Sequence, residues 1–274
     1  YFRPLVQIGP ARPDTALPLA GGWGWFTHAE VLSRSTPPRV VPAADIPASV
    51  MARLTAPRPA MAGLTLDRPR IMGILNTTPD SFSDGGQHNA VPDALRVAQE
   101  MVAAGADILD IGGESTRPGA DFVPVSEEIT PISIDTRKAA VAEAAVSAGA
   151  NLVNDVSGFT FDPALGPLCQ KLALPVCVMH AQGDPATMHL DPQYDNVLLD
   201  VFDALERQIS MLEASGIPRG AILADPRSLC GMPHILGAFY DKIIWNRRYS
   251  RKGQCAPDDS RGRPENRGRC GALF

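Results

Sequence analysis

The sequence predicts an α/β fold in which successive strand–helix units wind a parallel sheet, and three observations predict it. From Arg70 onward, short apolar runs bounded by Gly or Pro alternate with longer stretches of helical period. The 274 residues, 45% of them hydrophobic, suffice for one full core of barrel size. The residues that close the apolar runs are mostly polar, and in a parallel barrel they gather at the carboxyl ends of the strands.

Residues 1–69 are rich in Pro, Ala and Gly, carry Trp23, Trp25 and Phe26, and hold no sustained helical or strand period. They read as an N-terminal accessory extension. Six strands are expected at 71–75, 107–111, 131–134, 151–153, 175–179 and 221–224. Between them, 92–104 sets Leu95, Ala98, Met101 and Val102 on one helical face, and 195–214 does the same with Leu198, Val201, Leu205 and Ile209. The Ala-rich stretch 138–148 stops at Gly149, a helix with a glycine terminator.

Just past the apolar runs stand Asn76, Gly112 following Asp110, Asp135, Asn154, His180 and Asp225. Any one of these reads equally well as the start of a turn or a helix cap. Their recurrence in successive units favours a shared site on the carboxyl face.

The net charge of −5 gives no electrostatic reason for a nucleic-acid or anionic-membrane partner. No apolar run approaches membrane-spanning length, and Tyr1-Phe2-Arg3-Pro4 lacks the layout of a secretory signal. A cytoplasmic protein with a small-molecule substrate is expected, its natural start lying upstream of Tyr1. Cys169, Cys177, Cys230, Cys255 and Cys270 are odd in number and lack CxxC spacing, so reduced thiols are expected rather than a disulfide framework or structural zinc.

Two loops carry the densest chemistry. Residues 76–86, NTTPDSFSDGG, form a polar segment of active-site-loop length. Residues 112–120, GGESTRPGA, combine paired glycines, which permit close backbone approach, with Thr116 and Arg117, a hydroxyl and a planar cation suited to phosphate oxygens. SIDTRK (133–138) and NLVNDVSG (151–158) add Asp135 and Asn154, an acceptor beside a mixed donor–acceptor amide. His180 and His189 lack a third ligand at metal spacing, and Cys177 on a strand reads as packing.

The blocks MGILNTTPDSFSDGG, DILDIGGESTRPGA, ISIDTRKAAVAEAAVSAGANLVNDVSGF, PVCVMHAQGDPATM and ILADP occur in an order that resembles the dihydropteroate synthases, over Arg70 to about Pro226. The resemblance implies a (β/α)8 TIM barrel that condenses 6-hydroxymethyl-7,8-dihydropterin diphosphate with p-aminobenzoate, assisted by Mg2+, in a sulfonamide-sensitive, homodimeric enzyme. Position by position, Asn76 resembles a metal and diphosphate contact. Phe82, Asp84 and Pro118 resemble loop residues framing the aminobenzoate, and Thr116 and Arg117 lie near both substrates. Asp110, Asp135, Asn154 and Asp225 resemble the polar floor that reads the pterin edge, with Met179 as its apolar wall. Asp84, Arg117 and Asp135 take the catalytic roles, with Asp84 stabilising a developing pterin cation.

Two departures qualify the barrel. Only 121–130 remains between the second loop and the next strand, short for a parallel crossover, so the second helix is missing and the sheet's outer face is expected to lie bare there. From Arg227 the composition shifts: 235–239 and 243–245 are the only apolar clusters, and 246–269 is rich in Arg, Gly and Pro. The barrel is therefore expected to be incomplete, in three parts: 1–69, 70–226 and a divergent 227–274. Ser250-Arg251-Lys252 matches a family tripeptide whose lysine contacts the pterin, yet without a preceding apolar strand, and reads equally as coincidence. Three functions follow: the active synthase, a pterin-binding remnant or defective product, and another pterin barrel such as a methyltetrahydrofolate methyltransferase, which the two loops disfavour.

Overall fold

The computed structural model describes residues 1–76, 90–112, 130–180, 194–226 and 243–246. The N-terminal part folds despite its lack of period. Strands β1 (Phe2–Pro4), β2 (Leu17–Pro18), β3 (Trp25–Phe26), β4 (His28–Val31) and β5 (Arg39–Pro42) precede helix α1 (Ala48–Thr55). An antiparallel sheet of order β1-β4-β5 forms, beside a β2–β3 pair. Its core is Phe26, Ala29, Val41, Ala43 and Ile46, packed against Val50, Met51 and Leu54 of α1. Single apolar residues scattered among prolines supply this core, which is why no periodic signal announces it.

The C-terminal part is the expected parallel sheet. Its strands are β6 (Arg70–Asn76), β7 (Ile108–Gly112), β8 (Ile132–Asp135), β9 (Leu152–Asp155), β10 (Val176–Met179), β11 (Ile222–Asp225) and β12 (Ile243–Asn246), in the order β11-β10-β9-β8-β7-β6-β12. The first six are the expected strands, moved by a residue or two. β12 pairs in parallel with β6, Ile243 opposite Arg70 and Asn246 opposite Gly73. This corrects the expectation that no strand precedes Ser250-Arg251-Lys252, because a four-residue run beside polar sequence suffices once a long neighbour supplies the ladder. Among the described residues β11 and β12 do not pair, so the sheet is an incomplete (β/α)8 barrel.

Strand pleating sends alternate residues to opposite faces. On the outer face α2 (Ala90–Ala103) covers Leu75 and Leu109 with Ala98 and Met101. The helices α3 (Ala139–Ser147), α4 (Leu165–Lys171) and α5 (Val197–Ala214) bury Ile134, Val153, Val176 and Val178 with Ala142, Leu165, Cys169 and Leu212. Helix α4 was not foreseen; its seven residues are too few to display a period. On the outer face beside the short crossover, Leu109 under α2 and Ile134 under α3 are 1% and 7% exposed, whereas Ile111 and Ile132 are only partly buried. Residues 113–129 of that crossover lie outside the described residues.

On the inner face Leu152, Cys177 and Leu223 meet Met61 and Leu66, which precede the first barrel strand. Their backbone is bridged Met61 to Leu64. Arg70 locks this floor: its guanidinium donates to Thr65 O at 2.7 Å and to Asp107 at 3.0 Å, and Asp107 also accepts from Ile71 N–H at 2.9 Å. The N-terminal sheet is fastened to α5 by Tyr1 stacked on Phe202 at 4.7 Å, and by Arg34 paired with Asp200 at 2.7 Å and with Asp203.

Candidate functional site

The inward-facing residues nearest the carboxyl ends form one continuous row. Register sets Ile74 opposite Asp110, Asn76 opposite Gly112, Asp110 opposite Ser133, Asp135 opposite both Gly112 and Asn154, and Met179 opposite Asp225. The centre of the row is buried: Asp110 is 1% exposed, Ser133 0%, Asn154 2% and Asp225 2%. A charge is tolerated at such depth only with donors. The Asp110 carboxylate has them, Ser133 Oγ donating to one oxygen at 2.6 Å and Asn154 Nδ2 to the other at 3.0 Å. Because a carboxylate only accepts, it fixes the amide of Asn154 with its nitrogen toward Asp110. The amide's Oδ1 is left buried with no hydrogen-bond partner among the described residues.

Nearer the rim, exposed Asn76 and half-buried Asp135 flank Gly112. A Cβ at Gly112 would stand 3.3 Å from Asn76 Oδ1 and 3.3 Å from Asp135 Oδ2, so the glycine keeps space between two hard oxygens. Asp110, Asp135 and Asp225 are spread along the row rather than clustered. Among the described residues no group of three or more His, Cys, Asp or Glu is placed to hold a metal ion.

The turn after β9 is organised by Asp155, on the opposite face from Asn154. Its carboxylate accepts from Ser157 N–H at 2.7 Å, Ser157 Oγ at 2.9 Å and Phe159 N–H at 2.8 Å. Burial pushes its carboxyl upward, against those hydrogen bonds. Arg137, at the start of α3, stacks on the Phe161 ring at 4.1 Å. Asp162 accepts from Ala139 N–H at 2.8 Å and Ala164 N–H at 2.9 Å, joining the starts of α3 and α4.

The structure brings Asn76, Asp110, Asp135, Asn154, Met179 and Asp225 to one face as expected. It removes His180 from that row. His180 turns to the helix layer, where its Nε2 lies 3.1 Å from Tyr194 Oη, and burial followed by the charge of Arg207 lowers its pKa. The same alternation that brings Met179 inward sends its neighbour outward. Cys169 and Cys177 are buried, and burial pushes the Cys169 thiol up to about 12, which suits packing rather than nucleophilic chemistry. Ser133 was missed as a site residue, though its place two positions before Asp135 carries the signal of a shared face. Phe82, Asp84, Thr116, Arg117, Pro118, His189 and Lys252 lie outside the described residues. No helix among the described residues is long and apolar enough to cross a membrane.

Comparison with known proteins points to one family. Dihydropteroate synthase of Escherichia coli K12 is 43% identical over 168 residues, 56% of this chain and 59% of that protein. A dihydropteroate synthase structure from Xanthomonas albilineans with 4-aminobenzoic acid matches at 44% identity and a TM-score of 0.52, over 62% of this chain and 66% of that one. A second, from the same organism in complex with 7,8-dihydropteroate, matches at 38% identity and a TM-score of 0.51, over 63% and 68%. The chain thus spans less than two thirds of the E. coli relative. The sequence model of the family described as pterin binding enzyme matches residues 72–233, more than half of the chain and all of the row from Asn76 to Asp225, and the chain belongs to that family.

Proposed function

We propose that this chain is a dihydropteroate synthase. The observation that carries the proposal is the buried Asp110–Ser133–Asn154 group with its unpartnered amide oxygen. A pterin presents a row of N–H donors along its pyrimidine edge, and a floor of carboxylates plus one oriented amide oxygen accepts them. A ring lacking those donors would leave the buried Asn154 oxygen unpaired, a penalty of about 1–3 kcal/mol, roughly 10- to 100-fold in selectivity. Asp225 and Asp135 extend the acceptor row, and Met179 provides the apolar wall.

In the reaction the bond from the pterin's exocyclic methylene to the diphosphate oxygen breaks first, leaving a cation delocalised into the dihydropterin ring, and the p-aminobenzoate nitrogen then forms its bond to that carbon. Diphosphate takes the electron pair and the amine loses a proton. The floor holds the ring so that this carbon faces the mouth of the sheet. By the family resemblance, Asp84 would stabilise positive charge on the ring, Arg117 and Thr116 would serve the diphosphate, Phe82 and Pro118 would frame the aminobenzoate, and Lys252, if the tripeptide is the family's, would serve the pterin. Asn76 Oδ1 and Asp135 Oδ2, hard oxygens around the space kept by Gly112, suit Mg2+, which takes few protein ligands and completes its shell with phosphate oxygens and water. When bound, the ion neutralises charge on the leaving diphosphate. We place the enzyme in the cytoplasm as a homodimer.

A second reading, a pterin-binding remnant without turnover, is favoured by two observations: β11 and β12 do not pair among the described residues, and the family match stops at residue 233. Diphosphate release assayed with pterin diphosphate, p-aminobenzoate and Mg2+ separates the two. Release that needs all three supports the synthase. Pterin binding without release supports the remnant, and neither from folded protein overturns both.

A further inference from the structure

We infer that Gln208 is a positioning residue for the pterin slot, holding its Met179 wall from behind; the inference rests on the reading of that slot given above. Gln208 is the polar exception on the buried face of α5, which otherwise offers Leu199, Val201, Leu205 and Leu212. It is 9% exposed, and its Oε1 has no hydrogen-bond partner among the described residues. A buried amide with an unmet acceptor lowers stability relative to an apolar side chain of the same length, so core packing does not account for it. What it touches does.

Its Nε2 donates to the backbone O of Met179 at 3.4 Å. The same nitrogen lies against Gly158, where a Cβ would stand 1.9 Å from it and 3.1 Å from Met179 O. Gly158 has φ +68 and is held in that left-handed turn by Asp155, whose backbone O accepts from Gly158 N–H at 3.1 Å and whose carboxylate secures Ser157 and Phe159. The β9 turn, the end of β10 and α5 therefore converge on one amide. The turn it touches follows directly on Asn154 in β9, and the strand end carries Met179, the floor and the wall of the slot. Gln208 touches no substrate; it acts through Met179.

The test uses equilibrium titration of the full chain with 6-hydroxymethylpterin, alongside thermal melting. Gln208→Met keeps length and removes the donor and the orphaned oxygen. It should hold or raise Tm while weakening pterin binding roughly five- to tenfold. Gln208→Glu, whose protonated carboxyl still donates, should recover wild-type affinity under mildly acidic conditions, with the wild type measured in parallel. If the wild type binds and Gln208→Met binds equally well, the positioning role is overturned while the slot stands. If affinity falls only in step with Tm, and Gln208→Glu rescues nothing, the residue is merely structural and the inference fails. If the folded wild type does not bind pterin, the slot itself is wrong and the inference falls with it.

Discussion

Asp110 is held at 1% exposure by donors from the adjacent strand β8 and from β9 beyond it, and removing one has a definite cost. Ser133→Ala should lower stability by about 1.5–3 kcal/mol, the range for hydrogen bonds to charged groups, read as a shift in denaturant midpoint at constant m. An unchanged midpoint would mean that solvent already serves the carboxylate. His180 makes a second prediction at this scale. Burial, then Arg207, lowers its folded pKa below the ordinary 6.5, so the unfolded chain binds more protons as pH falls through 6.5. Its contribution to stability is complete above the unfolded pKa and is lost on acidification. Tm should drop more between pH 7.5 and pH 5 in the wild type than in His180→Gln, and equal slopes would contradict the assignment. The shared face of Asn76, Asp110, Asp135, Asn154 and Asp225 was legible in sequence because these candidate residues stand at the ends of apolar runs, and the end of a parallel strand is a fixed address. His180 obeys the same rule of position, but at a strand end a one-residue step changes the face.

Elements show where that legibility stops. The parallel strands and the longer helices announce themselves by period, whereas α4 is too short and the sheet β1-β4-β5 too irregular to do so. Least visible was the floor, because Met61 and Leu66 carry no pattern and gain their role only by meeting Leu152, Cys177 and Leu223. Its lock is testable. The Arg70 and Asp107 side chains are 10% and 12% exposed, and Asp107→Ala would leave Arg70 with the exposed Asp67 at 3.3 Å as its carboxylate partner, costing about 1.5–3 kcal/mol, the range for hydrogen bonds to charged groups. Chemical denaturation with a midpoint within error of the wild type would rule that out. The turn after β9 gives the other prediction at this scale. Gly158→Ala places a Cβ in left-handed backbone and against Gln208, a strain of about 1–3 kcal/mol before the clash is counted, and should lower Tm measurably in calorimetry. A neutral result would show that the turn has room to relax.

At the scale of the whole molecule, a strand-by-strand row of acceptors lies across an open parallel sheet, closed at its amino end by residues that precede the first barrel strand. Sequence placed the row and its order, and the match to pterin binding enzymes covers it from end to end. Sequence did not place β12 beside β6, because that pairing joins segments more than 160 residues apart and no local pattern encodes its partner. The central claim is that the acceptor row is a pterin slot. Equilibrium binding of 6-hydroxymethylpterin to the folded chain tests it most directly, with Asp110→Asn as the comparison. Saturable binding at one site per chain, weakened by roughly 10- to 100-fold in Asp110→Asn as expected for a hydrogen bond to a charged acceptor, is the predicted result. Absence of binding by protein that melts cooperatively, or equal affinity in the two proteins, would contradict it.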